Sequence, residues 1–173
     1  MPAAYRVQQF IRATGASIRR EEVEETLLGR YLPPQAASLF RSMPRYDQQH
    51  ALRVLATLQH GGHDDPDLLA AALLHDVGKS VPRRDRSRLW HRVAAVLMRA
   101  VQPGLLARIG RDEPGSWRRP FYLQQNHAAL GAELAQQARC SEATVNLIRH
   151  HEDPDEASQD PLLATLQAAD SMN

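Results

Sequence analysis

Apolar residues recur along most of the chain at spacings of three and four, and the strict alternation of a half-buried strand is nearly absent. The spacing predicts helices over Arg20 to Arg30, Gln35 to Met43, Tyr46 to His60, Asp67 to Val77, Leu89 to Val101, Asn126 to Arg139, Ser141 to His151 and Pro161 to Ser171. Local punctuation supports these boundaries. Gly61-Gly62 stops one helix, and Asp64 or Asp65 ahead of Pro66 caps the next. Ser141 precedes Thr144 by three residues, as an N-cap does, and Pro154 follows the helix that carries His150. The stretch from Ser80 to Phe121 is the least regular, with Pro103-Gly104 and Pro114-Gly115 breaking it. The expectation is an all-α fold in one domain, residues 1–173, in which a helical N-terminal extension (1–45) packs on a 46–173 core.

Composition narrows the class. At 173 residues, 43% apolar and 24% charged, the chain has the makings of an ordinary globular core. A formal charge of +1 gives no general attraction to nucleic acid or membrane. The most apolar run, Leu68 to Leu74, is far too short to span a bilayer. No basic segment followed by an apolar one opens the chain, and Cys140 is its single cysteine, so a cytoplasmic protein is expected. Of the 21 lysines and arginines only Lys79 is a lysine.

That lysine stands close to the first chemical signal. His75-Asp76 closes the run Leu68-Leu69-Ala70-Ala71-Ala72-Leu73-Leu74, and Gly78 follows. An ionisable pair at the end of a buried helix is costly to desolvate without a partner. A divalent metal is an efficient one, because neutral imidazole and carboxylate are its natural ligands. Alone, a His-Asp dipeptide at a helix end equally well faces water. Other positions repeat the design, however: a ligand-type residue on an otherwise apolar helix, as at His50, His127, His150 and Asp170. Helices around one core can bring such positions together.

The order His50, His75-Asp76, Asp170 resembles the HD superfamily of metal-dependent phosphohydrolases. The local words agree: Leu-Ala-Ala-Ala-Leu-Leu-His-Asp-Val-Gly-Lys at 69–79, Asn-His-Ala-Ala-Leu-Gly-Ala-Glu-Leu at 126–134, Ile-Arg-His-His-Glu at 148–152 and Ala-Ala-Asp at 168–170. The resemblance covers about residues 46–171. It implies an HD-type helical bundle with a metal site in its core, holding one or two divalent ions (Fe, Mn, Zn, Co or Ni). By that resemblance His50, His75, Asp76 and Asp170 hold the first metal. Asp76 bridges to a second, bound by His127 and His150. His151 is open between replacing His150, binding phosphate and supporting a ligand.

The implied activity is cleavage of a phosphomonoester or phosphodiester of a small substrate, most naturally a nucleotide, by metal-activated hydroxide. Asp76 and Lys79 are the expected catalytic residues, and Lys79, His151, Arg83 and Arg149 the expected substrate contacts; Arg84 is a further phosphate-binding candidate. Two loose histidines, His60 and His63, flank the Gly-Gly turn and are expected in solvent, while Trp90 and His91 belong to a packing helix. Trp117, Phe121 and Tyr122 suit a small satellite core or a lid. The residues after His151-Glu152 lack the Gly-Tyr-Pro signature of cyclic di-GMP phosphodiesterases, which disfavours that activity. A diiron oxygenase with the same ligands, and a non-catalytic module of the same fold, are the alternatives. A homodimer is compatible with the resemblance.

Overall fold

The computed structural model describes residues 25–79, 109–113 and 116–173, and every described element is helical. Residues 25–31 are helical and lead into α1 (Pro34–Ser42), α2 (Arg45–His60) and α3 (Pro66–Leu74), which a short 3-10 turn at Val77–Lys79 follows. After the irregular segment come α4 (Arg119–Gln137), α5 (Glu142–His150), the one-turn α6 (Pro154–Ala157) and α7 (Pro161–Ser171).

The middle of the fold is α3. All seven residues from Leu68 to Leu74 are buried. A helix that is apolar on every side has to be surrounded, and α3 packs against α1, α2, α5 and α7. Around it each helix turns in one stripe: Ala36, Ala37 and Phe40 of α1, Ala51, Val54, Leu55 and Leu58 of α2, Leu163, Leu166 and Ala169 of α7. Leu28, Leu32 and Met43 join the same cluster, so residues 28–43 share the core with the helices that follow.

The caps explain where the helices begin. Asp65, rather than Asp64, starts α3, its Oδ1 accepting from the amides of Asp67 (3.0 Å) and Leu68 (2.9 Å). Ser141 caps α5 by accepting from Thr144 N at 3.0 Å, and Asp160 caps α7 by accepting from Leu162 N at 2.9 Å. The stop after α2 lies at Gly61-Gly62, where Gly62 takes φ 80, a left-handed turn that glycine adopts freely.

Three sequence expectations need correction. First, α4 begins at Arg119, seven residues before Asn126, because Pro120 falls in the first turn, where a missing N–H costs nothing. His127 therefore sits well inside α4 rather than in its first turn. Second, the α-helical ladder of α3 stops at Leu74, and Val77 belongs to the 3-10 turn. Third, the stretch between His151 and Pro161, to which the spacing gives no helix, contains the single turn of α6, capped by Asp153. The helix expected over Leu89 to Val101, with Trp90 and His91, lies outside the described residues, as do Arg20 to Glu24, Arg83 and Arg84.

Candidate metal centre

The end of α3 delivers the first donors. His75 is the C-cap, and its Nδ1 lies 3.0 Å from Ala72 O. A carbonyl can only accept, so Nδ1 carries the proton and Nε2 points inward. There it meets His50 Nε2 at 3.3 Å and Asp170 Oδ1 at 3.4 Å, while His50 and Asp170 pair at 2.8 Å. His50 lies on α2 beside its buried stripe, and Asp170 one turn beyond Leu166 on α7. Three helices thus converge on one point.

The second group forms on the other side of Asp76. His127 Nδ1 lies 2.9 Å from Gln124 O and His151 Nδ1 2.7 Å from Ile148 O, so both Nε2 atoms again face inward. They are 3.2 Å apart. Asp76 Oδ1 stands 3.6 Å from His127 Nε2, 3.9 Å from His151 Nε2 and 3.8 Å from His75 Nε2. Asp76 is therefore common to two donor sets, His50, His75 and Asp76, and Asp76, His127 and His151, with its Oδ1 facing His75, His127 and His151.

What holds the groups together is a close backbone contact. The 3-10 turn rests on α4 at Gly78, where a Cβ would come within 2.0 Å of His127 O. Only glycine fits, and that approach sets the distance between Asp76 and His127. Gln167 on α7 fixes the end of α5, donating to Asp153 O at 2.8 Å and to His150 O at 3.3 Å.

Charge organises the rest. Burial pushes the Asp76 carboxyl up, but the neighbouring His75 and Lys79 outweigh it and hold Asp76 well below the usual carboxylate range. Asp170 behaves the same way, burial opposing and the His50 and His75 hydrogen bonds winning. His75 is buried, which disfavours its cation, yet Asp76 and Asp170 together raise its pKa. His127 is different: burial and the Lys79 charge bring it down to about 4 against an ordinary 6.5, despite Asp76 and Glu152. His151 is lowered too, by burial first and by the His75 charge second.

These facts bear on whether a metal fits. At neutral pH both His127 and His151 are neutral imidazoles with Nδ1 protonated. Two bare nitrogen lone pairs and an anionic oxygen are then turned toward one another at 3.2 to 3.9 Å. Such a set repels itself unless a cation draws it together, and imidazole with carboxylate suits a transition metal or zinc. The donor chemistry fits a divalent ion.

Of the residues singled out from sequence, the structure gathers His50, His75, Asp76, His127, His151 and Asp170. It does not gather His150, expected as the second set's ligand: that side chain is partly exposed, its Nδ1 3.9 Å from Asp153 Oδ2. Helix period is the reason. Thr144, Leu147 and Ile148 form the buried stripe of α5, and the next position on it is 151, not 150. Lys79 Nζ lies 2.5 Å from Asp76 Oδ1. Arg149 is exposed, and on α5 it stands about 200° around the axis from His151, facing away from the cluster. Glu152, not singled out as a ligand, brings Oε1 to 3.7 Å from His127 Nε2; the signal was its place directly after the two histidines. His60 and His63 are exposed, Phe121 is buried, and Trp117 is exposed with its ring edge-on to Phe121.

A family model for the HD domain matches residues 48–173, and the chain belongs to that family. HD-domain proteins are mostly metal-dependent hydrolases, and the domain binds divalent metals. No curated protein and no solved structure matches the chain. No helix among the described residues is long and apolar enough to cross a membrane.

Proposed function

We propose that this chain is a cytoplasmic phosphohydrolase that cleaves a phosphoester of a small substrate, a nucleotide by preference, at a dinuclear metal centre. The observation that carries this reading is the sharing of Asp76 between two inward-facing donor sets. His50, His75 and Asp170 with Asp76 would hold one ion, and His127 and His151 with Asp76 the other. A pair of ions sharing a carboxylate supplies Lewis-acid stabilisation of phosphoryl oxygens and an activated water for in-line displacement.

The chain's own residues do the orienting. The Ala72, Gln124 and Ile148 carbonyls accept from the Nδ1–H groups of His75, His127 and His151, which fixes each tautomer with its Nε2 lone pair inward. Asp76 stays ionised far below neutral pH, so its oxygen is available throughout the working range. Lys79, three residues on, is the nearest described cation to that oxygen and the candidate contact for the substrate's phosphate.

The test is elemental analysis of protein purified without chelator, with phosphate release measured across a nucleotide panel in manganese or iron. About two ions per chain, with hydrolysis lost in Asp76→Ala, is the expected result. Metal loading with oxygen consumption and no phosphate release would move the chemistry to oxygenation. A chain that takes up no metal would end the reading.

A further inference from the structure

Lys79 is tied to a carboxylate in the position it holds. The 3-10 turn sets its ammonium 2.5 Å from Asp76 Oδ1, with only 17% of the side chain exposed. That oxygen faces both donor sets, 3.6 Å from His127 Nε2 and 3.8 Å from His75 Nε2. An ammonium and a divalent cation therefore contend for the same atom, and at such separations they repel strongly.

The choice of residue fits a contact made to be broken. Arginine fills every other basic position of this chain, 20 of 21. A guanidinium here would grip the carboxylate with two parallel hydrogen bonds and hold both oxygens against a metal. An ammonium takes one oxygen, from the end of a flexible four-carbon stem, and leaves as a unit.

We propose that Lys79 is a displaceable counter-ion of Asp76: a divalent cation taking the Asp76 oxygen expels the ammonium, so that filling the metal site is what frees the chain's one lysine for an anionic substrate. The inference rests on the metal-centre reading above. It reconciles two roles that compete, since the charge of an ammonium paired with Asp76 is largely offset before a phosphate can use it. It also makes Lys79 a brake on metal affinity, because its charge must be moved before the ion can settle.

Zinc(II) alone serves as the probe. Calorimetric titration of the chelator-stripped protein is compared with Lys79→Met, which keeps the stem and removes the charge, and with Lys79→Arg. Lys79→Met is expected to bind zinc at least about tenfold more tightly than the unaltered chain, and Lys79→Arg more weakly. A second measurement needs no variant. Because Lys79 is the only lysine, labelling by an amine-reactive ester, read by peptide mass, follows its ε-amine alone; zinc should speed that labelling several-fold.

Equal or weaker zinc binding by a folded Lys79→Met overturns the inference. So does Lys79 labelling that zinc leaves unchanged or slows, whether or not the variant folds. Absence of zinc binding by the unaltered chain and by Lys79→Met alike would overturn the metal centre itself and this inference with it, and is thereby distinguishable from the first two results.

Discussion

Two glycines touch where the 3-10 turn meets α4, and the same substitution should be costly at one and nearly neutral at the other. At Gly78 an added Cβ would lie 2.0 Å from His127 O, 2.7 Å from Gly131 N and 2.8 Å from His127 C. All three are backbone atoms of a helix, and none can rotate aside. Relief even to a tight contact of 3.0 Å requires α4 and the turn to separate by about 1 Å. Overpacking of this kind costs about 1–3 kcal/mol, and a backbone obstacle puts Gly78→Ala near the top, about 3 kcal/mol. For a chain of this length that is a fall in Tm of roughly 6–12 °C. At Gly131 the nearest atoms are Gly78 N at 3.2 Å, Ile148 Cγ2 at 3.3 Å and Val77 Cγ1 at 3.4 Å. A few tenths of an ångström accommodate that methyl, and the gain of about 1 kcal/mol for alanine inside a helix offsets the strain. Gly131→Ala should melt within about 2 °C of the parent. The site gives a second readout, because separating the turn from α4 pulls Asp76 from His127. Gly78→Ala should lose divalent-ion binding measured by calorimetry, and Gly131→Ala should keep it. Scanning calorimetry in chelator, followed by the metal titration, covers both. A Gly78→Ala protein that melts with the parent and binds metal normally would refute the reasoning.

Other consequences can be checked separately. His151→Ala should cost at least one bound ion by elemental analysis while His150→Ala leaves the count intact; the reverse pattern would return the ligand role to His150. In chelator, the His127 ring followed by NMR should titrate near pH 4. Since that folded pKa lies below the unfolded 6.5, the folded state binds fewer protons between them, and His127 takes about 3 kcal/mol from stability as pH falls through that window; a midpoint near 6.5 would contradict its burial. Arg139 holds φ 63 just past α4, in a cap where Cys140 N donates to Ala135 O at 3.0 Å and Arg139 N to Gln136 O at 3.0 Å. Exposed and left-handed, it should gain about 1 kcal/mol on Arg139→Gly in urea unfolding, and a loss would refute the cap assignment.

Much of this was legible in the chain because the fold is local. Helix spacing and short side-chain caps act within a few residues, so α2, α5 and α7 fall close to where their apolar stripes put them. The start of α4 did not show, because it lies at the end of the irregular stretch Ser80 to Phe121, where Pro120 in the first turn adds no apolar period to mark a helix. That 151 rather than 150 falls within the cluster was within reach: counting three from Ile148, a buried residue, lands on 151. What no pattern along the chain contains is the meeting of Gly78 with His127 O, or of Lys79 with the carboxylate that two donor sets share. Those depend on how the turn after α3 lies against α4, a distance set by packing rather than by spacing.

The backbone favours a cation at this site independently of the ligand side chains. His75 caps the end of α3, His151 caps the end of α5, and Asp170 lies in the last turn of α7. Three helix C-termini, each carrying a partial negative charge, are directed toward one small volume. The carboxylates of Asp76 and Asp170 add to that field, and both are held ionised. A phosphate brought to such a place alone would be repelled; anion sites are built on helix N-termini instead. An anionic substrate can therefore approach only after positive charge has been placed there. Lys79 supplies one unit of it and divalent ions would supply more. On the proposed function, the field that favours a cation here would also make binding of an anionic substrate conditional on metal and would tie the two equilibria together through Asp76.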